Sequence, residues 1–128
     1  MKHLILLLSF ALTIISCGKT EEKKEALYPE KELSAEEQKI AWGKELFDGS
    51  KATCYSCHRP DKKVIGPSIA EIAKIYKEQN GDMKAFLLEK AEPIVDPKQY
   101  ATMKTNFNVT KNLPEEELEA IIAYMMSY

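Results

Sequence analysis

Hydrophobic and polar positions divide the chain into stretches of different character. Lys2 and His3 precede an apolar run from Leu4 to Ile15, broken by Ser9 and Thr13. A membrane-spanning helix needs about 20 apolar residues, so this run is short for a span. A charged start and a short apolar core read instead as a secretory signal peptide. The stretch that follows, through Lys19, Glu21, Glu22, Lys23, Lys24 and Glu25 to Leu33, is charged and low in complexity. It cannot bury enough surface to offset the entropy of ordering. Residues 17–33 are therefore expected to form a flexible tether, with a folded domain over residues 34–128.

From Ser34 the pattern becomes helical. Ser34 and Glu37 form an S-x-x-E capping box, opening a helix that runs to about Asp48 with Ile40, Gly43 and Phe47 on one face. Gly43 should cost about 1 kcal/mol inside a helix, which a close helix–helix crossing would explain. Ile69, Ile72, Ala73 and Tyr76 make a second stripe, ended by Asn80-Gly81. Asp82 can cap a third helix, with Met83, Phe86 and Leu87 on one face, stopped before Pro93. Pro114 suits the first position of a last helix, and Glu115, Glu116 and Glu117 suit the positive end of its dipole. Leu118, Ile121, Ile122 and Met125 form its apolar stripe. No strand pattern is evident, so the predicted fold is all-α with four main helices.

Composition narrows the chemistry. The 128 residues allow one ordinary domain; 45% hydrophobic and 30% charged residues are normal for a soluble protein, and a net charge of -2 argues against wholesale nucleic-acid binding. Three cysteines are an odd count and too few for a disulfide scaffold. Two histidines exclude any site built from three or more.

The first cysteine has a distinct context. Ile14-Ile15-Ser16-Cys17 resembles the bacterial lipobox, in which a signal is cut before a cysteine that then carries lipid. On this reading residues 1–16 are a lipoprotein signal peptide. Acyl chains on Cys17 then anchor the protein, each buried CH₂ contributing about 0.8 kcal/mol. The expected location is the periplasmic side of a bacterial membrane, lipid-anchored, or a soluble periplasmic one if Cys17 is incidental.

The other two cysteines stand in Cys54-Tyr55-Ser56-Cys57-His58. Two cysteines two residues apart and followed at once by histidine read as a c-type haem attachment site. On a helical turn, residues i and i+3 share a face, so both thiols can reach the vinyl groups of one porphyrin and add as thioethers. His58 is then directed at the iron. A structural zinc site needs four ligands, which this domain lacks once Cys17 is set aside. A thioredoxin-like CxxC would need a βαβ context.

Once the signal is removed, His58 is the only histidine left, so the sixth ligand must be of another type. Methionine sulfur is the usual alternative, and Met83, Met103, Met125 and Met126 are available. Met83 and Met125 fall on core stripes, and Met126 sits in the last turn of the final helix. Met103, between Thr102 and Lys104, has no apolar stripe and is expected in a polar loop marked by Asn106 and Asn108. A methionine in a polar loop needs a reason: binding iron is one, with Met83 the next candidate, and filling a gap as an adaptable apolar side chain is the other.

Taken together, residues 37–128 resemble the class I monohaem cytochromes c, in particular the small bacterial respiratory electron carriers. The carrying motifs are Gly43-Lys44-Glu45-Leu46-Phe47, Cys54 to His58, Gly66-Pro67-Ser68, Met103, and Leu113 to Leu118 with Tyr124. The resemblance implies one covalently attached haem c per chain and packing of the N-terminal helix on the C-terminal one. It also implies that the Pro67 carbonyl accepts a hydrogen bond from His58 Nδ1–H, and that His58 and Met103 ligate the iron. The flanking Thr102 and Lys104 depart from the prolines common in close relatives.

The implied function is one-electron transfer between respiratory redox partners, donor and acceptor, at a membrane oxidase or reductase complex. A haem peroxidase or gas sensor would need an open or labile sixth position. A haem-bearing accessory subunit of a larger oxidoreductase would keep the same ligands without shuttling. Lys51, Arg59, Lys62, Lys63, Lys98, Lys104 and Lys111 cluster in the segments that carry the haem ligands, so a positive ring steering an acidic partner is expected. Arg59, one of these lysines or Tyr100 is a candidate partner for a haem propionate.

Overall fold

The computed structural model describes residues 32–128, and its compact unit runs from Glu32 to Tyr128. The signal peptide, Cys17 and nearly all of the tether lie outside the described residues. Within them the protein is all-α, and the β pairing is confined to an isolated antiparallel bridge between His58 and Lys63.

Helix α1, Ala35–Asp48, begins as its capping box dictates. Glu37 N–H donates to Ser34 Oγ at 3.2 Å, and Ser34 N–H donates to Glu37 Oε2 at 2.8 Å. These bonds satisfy amides that the first helical turn leaves without partners. Helix α2, Ile69–Gln79, is capped by Ser68 Oγ, which accepts from Glu71 N–H at 3.1 Å. Its predicted stripe of Ile69, Ile72, Ala73 and Tyr76 is buried throughout. Asn80 closes the helix in the left-handed region at φ 49°, a conformation that asparagine tolerates better than most residues.

Helix α3, Met83–Leu87, starts at the predicted Asp82 cap, where Ala85 N–H donates to Asp82 Oδ1 at 2.8 Å. It ends well short of Pro93, because the chain turns at Glu89 with φ 59°. Two short helices follow a turn of 3₁₀ helix at Pro97–Gln99: α4, Tyr100–Lys104, and α5, Phe107–Lys111. Together with α6, Glu115–Met126, these bring the helices among the described residues to six rather than four. Pro114 is the cap residue of α6 and not its first helical residue, with φ -53° and ψ 145°.

Helix α1 packs across α6, the most extensive pairing of elements in the fold. Gly43 is why they come so close. A Cβ at this position would lie 1.8 Å from the Ala120 carbonyl oxygen and 3.0 Å from Tyr124 Cβ. Next to the crossing, Phe47 is fully buried and meets Tyr124 edge-on, ring centroids 5.3 Å apart. The close approach offsets the helix propensity that glycine forfeits. Gly43→Ala is therefore expected to destabilise the protein by about 3 kcal/mol or more, at the upper end of overpacking costs. Denaturant unfolding of the holoprotein would measure it, and a loss below about 1 kcal/mol would mean that the helices can separate cheaply.

Candidate cofactor site

The Cys54–His58 segment leaves α1 through Thr53, which takes the left-handed region at φ 54°, and winds into a turn of 3₁₀ helix at Cys54–Ser56. Cys57 N–H and His58 N–H both donate to the Cys54 carbonyl, at 3.1 and 3.0 Å. One tight turn therefore carries both thiols and the imidazole. Neither cysteine is in a disulfide, and both are half-buried. Burial pushes the free Cys54 thiol up to about 11, with Cys57 adding to the shift.

The chain from Arg59 to Ser68 folds back over this turn. Gly66 N–H donates to the Cys57 carbonyl at 3.0 Å, and Ile69 N–H to the Arg59 carbonyl at 2.8 Å. This return brings the Pro67 carbonyl 2.8 Å from His58 Nδ1. The contact requires Nδ1 to carry a proton, and in the neutral tautomer this selects, Nε2 is the nitrogen that keeps a lone pair. Gly66 permits the return. A Cβ there would lie 2.4 Å from His58 Cε1, 2.8 Å from Nδ1 and 2.9 Å from Nε2. The Gly-Pro pair was legible in the sequence as a motif; that its glycine faces the imidazole was not.

The turn opens onto two adjoining clefts lined largely by apolar side chains, as small-molecule and cofactor sites usually are. Cys57, His58, Leu87, Met103, Asn106 and Met125 line both, so the two are parts of one gap. The larger is walled by Ile72, Tyr76, Phe86, Ile94 and Val95, while Cys54 and Phe47 border the smaller. Burial, reinforced by Asp82, pushes the Tyr76 phenol up to about 12, so it faces the cleft as a neutral group. An apolar gap bordered by two thiols and an imidazole fits a flat macrocycle that bonds through both sulfurs. Among the described residues no cluster of His, Cys, Asp and Glu could hold a bare metal ion.

Residues 40–128 match the family described as cytochrome c. The chain belongs to the cytochrome c family. A 32-residue stretch is 56% identical to a cytochrome c2 of Rubrivivax gelatinosus, covering 25% of this chain and 38% of that protein's length. The cofactor of this cytochrome is covalently bound haem c, and Cys54 and Cys57 form the pair that its CxxCH motif requires.

The other site residues read from the sequence divide unevenly. Met103 borders both clefts, but it sits on helix α4 and not in a polar loop. Tyr100 and Phe107 explain the difference: they pack with each other and with Phe86, giving this polar-looking segment an aromatic anchor. Met125 is a core residue, as its stripe predicted, yet it also borders both clefts; Met83 borders the larger. Tyr100 lines the larger cleft, but Arg59 lines neither. Its guanidinium lies 3.4 Å from the Tyr55 ring centroid, and Nη1 donates to the Tyr55 carbonyl at 2.5 Å.

Because the Gly66 contact is with the imidazole itself, Gly66→Ala is expected to push His58 away from the Pro67 carbonyl. The expected cost is about 1–3 kcal/mol, typical of overpacking, in denaturant unfolding of the holoprotein, with loss of the His58 Nδ1–H resonance's protection from exchange. An unchanged midpoint and unchanged protection would mean that the loop yields instead of the ring.

Proposed function

We propose that this cytochrome is a one-electron carrier, tethered to a membrane through Cys17 and ligating haem iron through His58 and Met103. The haem supplies an iron that cycles between ferric and ferrous states. On this reading the Cys54 and Cys57 sulfurs hold the porphyrin as thioethers, and the Pro67 carbonyl orients His58 and raises its basicity. The observation that carries the proposal is that His58 and Met103 border the same two clefts. Met103 is half-buried on a helix with no fully buried residue, whereas Met83 and Met125 are buried within the core cluster. Those two are part of the core itself, whereas Met103 packs against it from outside, only partly buried.

With His58 and Met103 both holding the iron, no position on it would be left for a substrate, and its chemistry would be electron exchange with a redox protein. Ile65, 52% exposed, stands at the rim of the larger cleft, where a partner can approach. The part-length likeness to a cytochrome c2 is consistent with a protein redox partner. Among the described residues no helix is long and apolar enough to cross a membrane, so attachment on this reading rests on the lipid at Cys17 and places the domain on the periplasmic side.

The ferric protein is expected to show the near-infrared sulfur-to-iron charge-transfer band. Met103→Ala should abolish it, while Met83→Ala and Met125→Ala should leave it. Loss of the band in either of the latter variants alone would move the ligand to that residue. A high-spin ferric spectrum in the wild type would instead favour haem catalysis or gas sensing. Cys17→Ser should release the protein from native membranes into the soluble fraction, and undiminished retention would remove the lipid anchor from the proposal.

A further inference from the structure

Helix α4, which carries Met103, is only five residues long and has no side-chain cap and no buried residue. Such an element has little intrinsic stability, since short isolated helices are marginal. Besides the Tyr100 packing on Phe86 and Phe107, its tie to another part of the chain is an ion pair with one residue. Glu89 follows α3 at φ 59°, in the left-handed region that non-glycine residues seldom adopt. Its Oε1 is 3.0 Å from Lys104 Nζ on α4, and its Oε2 is 2.6 Å from Lys111 Nζ on α5. Each carboxylate oxygen therefore engages a different helix. Lys104 is the residue after Met103, and its ammonium also stands 6.0 Å from the Tyr100 ring centroid at the start of α4. Nearby, Thr110 Oγ1 donates to the Leu87 carbonyl at 2.6 Å, anchoring α5 to the end of α3. Glu89 itself borders neither cleft.

We infer that Glu89 is a positioning residue: its carboxylate clamps α4 and α5 to the end of α3 and thereby holds the Met103 sulfur at the iron. The inference rests on Met103 being the sixth ligand. The αL backbone at Glu89 is consistent with this role, because an uncommon conformation persists only where its surroundings hold it. Both lysines keep the Glu89 carboxyl below its ordinary range, their hydrogen bonds outweighing desolvation, so the clamp is charged near neutral pH.

The test uses the ferric holoprotein and imidazole as a competing ligand, with the near-infrared band and the thermal midpoint recorded in parallel. Glu89→Gln keeps the shape of the side chain and removes its charge. It is expected to bind imidazole about three- to tenfold more tightly than wild type, the range set by losing two largely exposed ion pairs. The double variant Lys104→Gln/Lys111→Gln should reproduce the gain, and adding Glu89→Gln to it should change nothing further, as expected for groups acting through one interaction. Glu89→Asp, which retains the charge, should fall between wild type and Glu89→Gln.

A lower thermal midpoint in Glu89→Gln with unchanged imidazole affinity and an unchanged band would overturn the inference, leaving Glu89 a purely structural residue. Additive effects of the glutamate and lysine substitutions would also overturn it. Met103→Ala separates this failure from failure of the ligand assignment. If that variant keeps the band, Met103 is not the ligand and the clamp has nothing to position. If it loses the band while Glu89→Gln leaves imidazole binding untouched, the ligand assignment stands and the clamp falls.

Discussion

The hydrogen bond between His58 Nδ1 and the Pro67 carbonyl organises one wall of the cofactor site. It joins the Cys54–His58 turn to the start of α2 and sets the tautomer of the only imidazole in the described residues. The bond exists because residues 59–68 return to the turn from which they leave. That return is secured by Gly66 N–H on the Cys57 carbonyl and Ile69 N–H on the Arg59 carbonyl. Gly66 lies against the ring, where a methyl group would collide with Cε1. A backbone carbonyl is well suited to the task. It cannot titrate, and its position is fixed by the chain itself and not by a rotamer.

The far side of the gap is built differently. Its floor is part of the core: Met125 and Leu87 are buried in the same cluster as Phe47 and Tyr124 beside the crossing of α1 and α6. The Met103 side consists of two five-residue helices held by the Phe86, Tyr100 and Phe107 rings and by ion pairs to Glu89. Exposed ion pairs are individually weak, so this wall depends on several small terms acting together. The site thus combines a histidine fixed by backbone with a methionine held by side chains. Stability differs across such a structure, and the less buried wall is where opening should cost least.

Much of this was legible in the residues. The capping box at Ser34, the stripe from Ile69 to Tyr76 and the Asp82 cap each rest on local chemistry and match the observed boundaries at their N-terminal ends. The CxxCH turn needed only spacing. What eluded the sequence depended on contacts distant along the chain. Helix α3 stops at Leu87 because Glu89 turns away toward lysines on α4 and α5, and no local breaker marks that end. The stretch around Met103 looked like a loop because Thr102, Lys104, Thr105, Asn106 and Asn108 mask the wide spacing of Tyr100, Met103 and Phe107. Those three residues acquire their apolar environment from Phe86 and the cleft. Gly43 is the intermediate case: its helix was evident, and its reason lies in Ala120, on the far side of the crossing.

The charge pattern shows how a count along the chain differs from a field in space. The basic segments beside the haem ligands suggested a positive ring, but most of those cations are matched by carboxylates from elsewhere. Lys51 pairs with Glu117 at 2.6 Å, Lys63 with Asp96 at 2.9 Å, and Lys104 and Lys111 with Glu89. Arg59 is engaged with Tyr55. That leaves Arg59, Lys62 and Lys98 without a carboxylate partner among the described residues, while the rim itself presents Ile65. A paired cation contributes a dipole, whose field falls off faster with distance than that of a free charge and is screened within about 8–10 Å at physiological salt. The long-range field expected from seven basic residues is thus reduced to that of a few, and at the rim of the larger cleft the exposed surface includes the apolar Ile65.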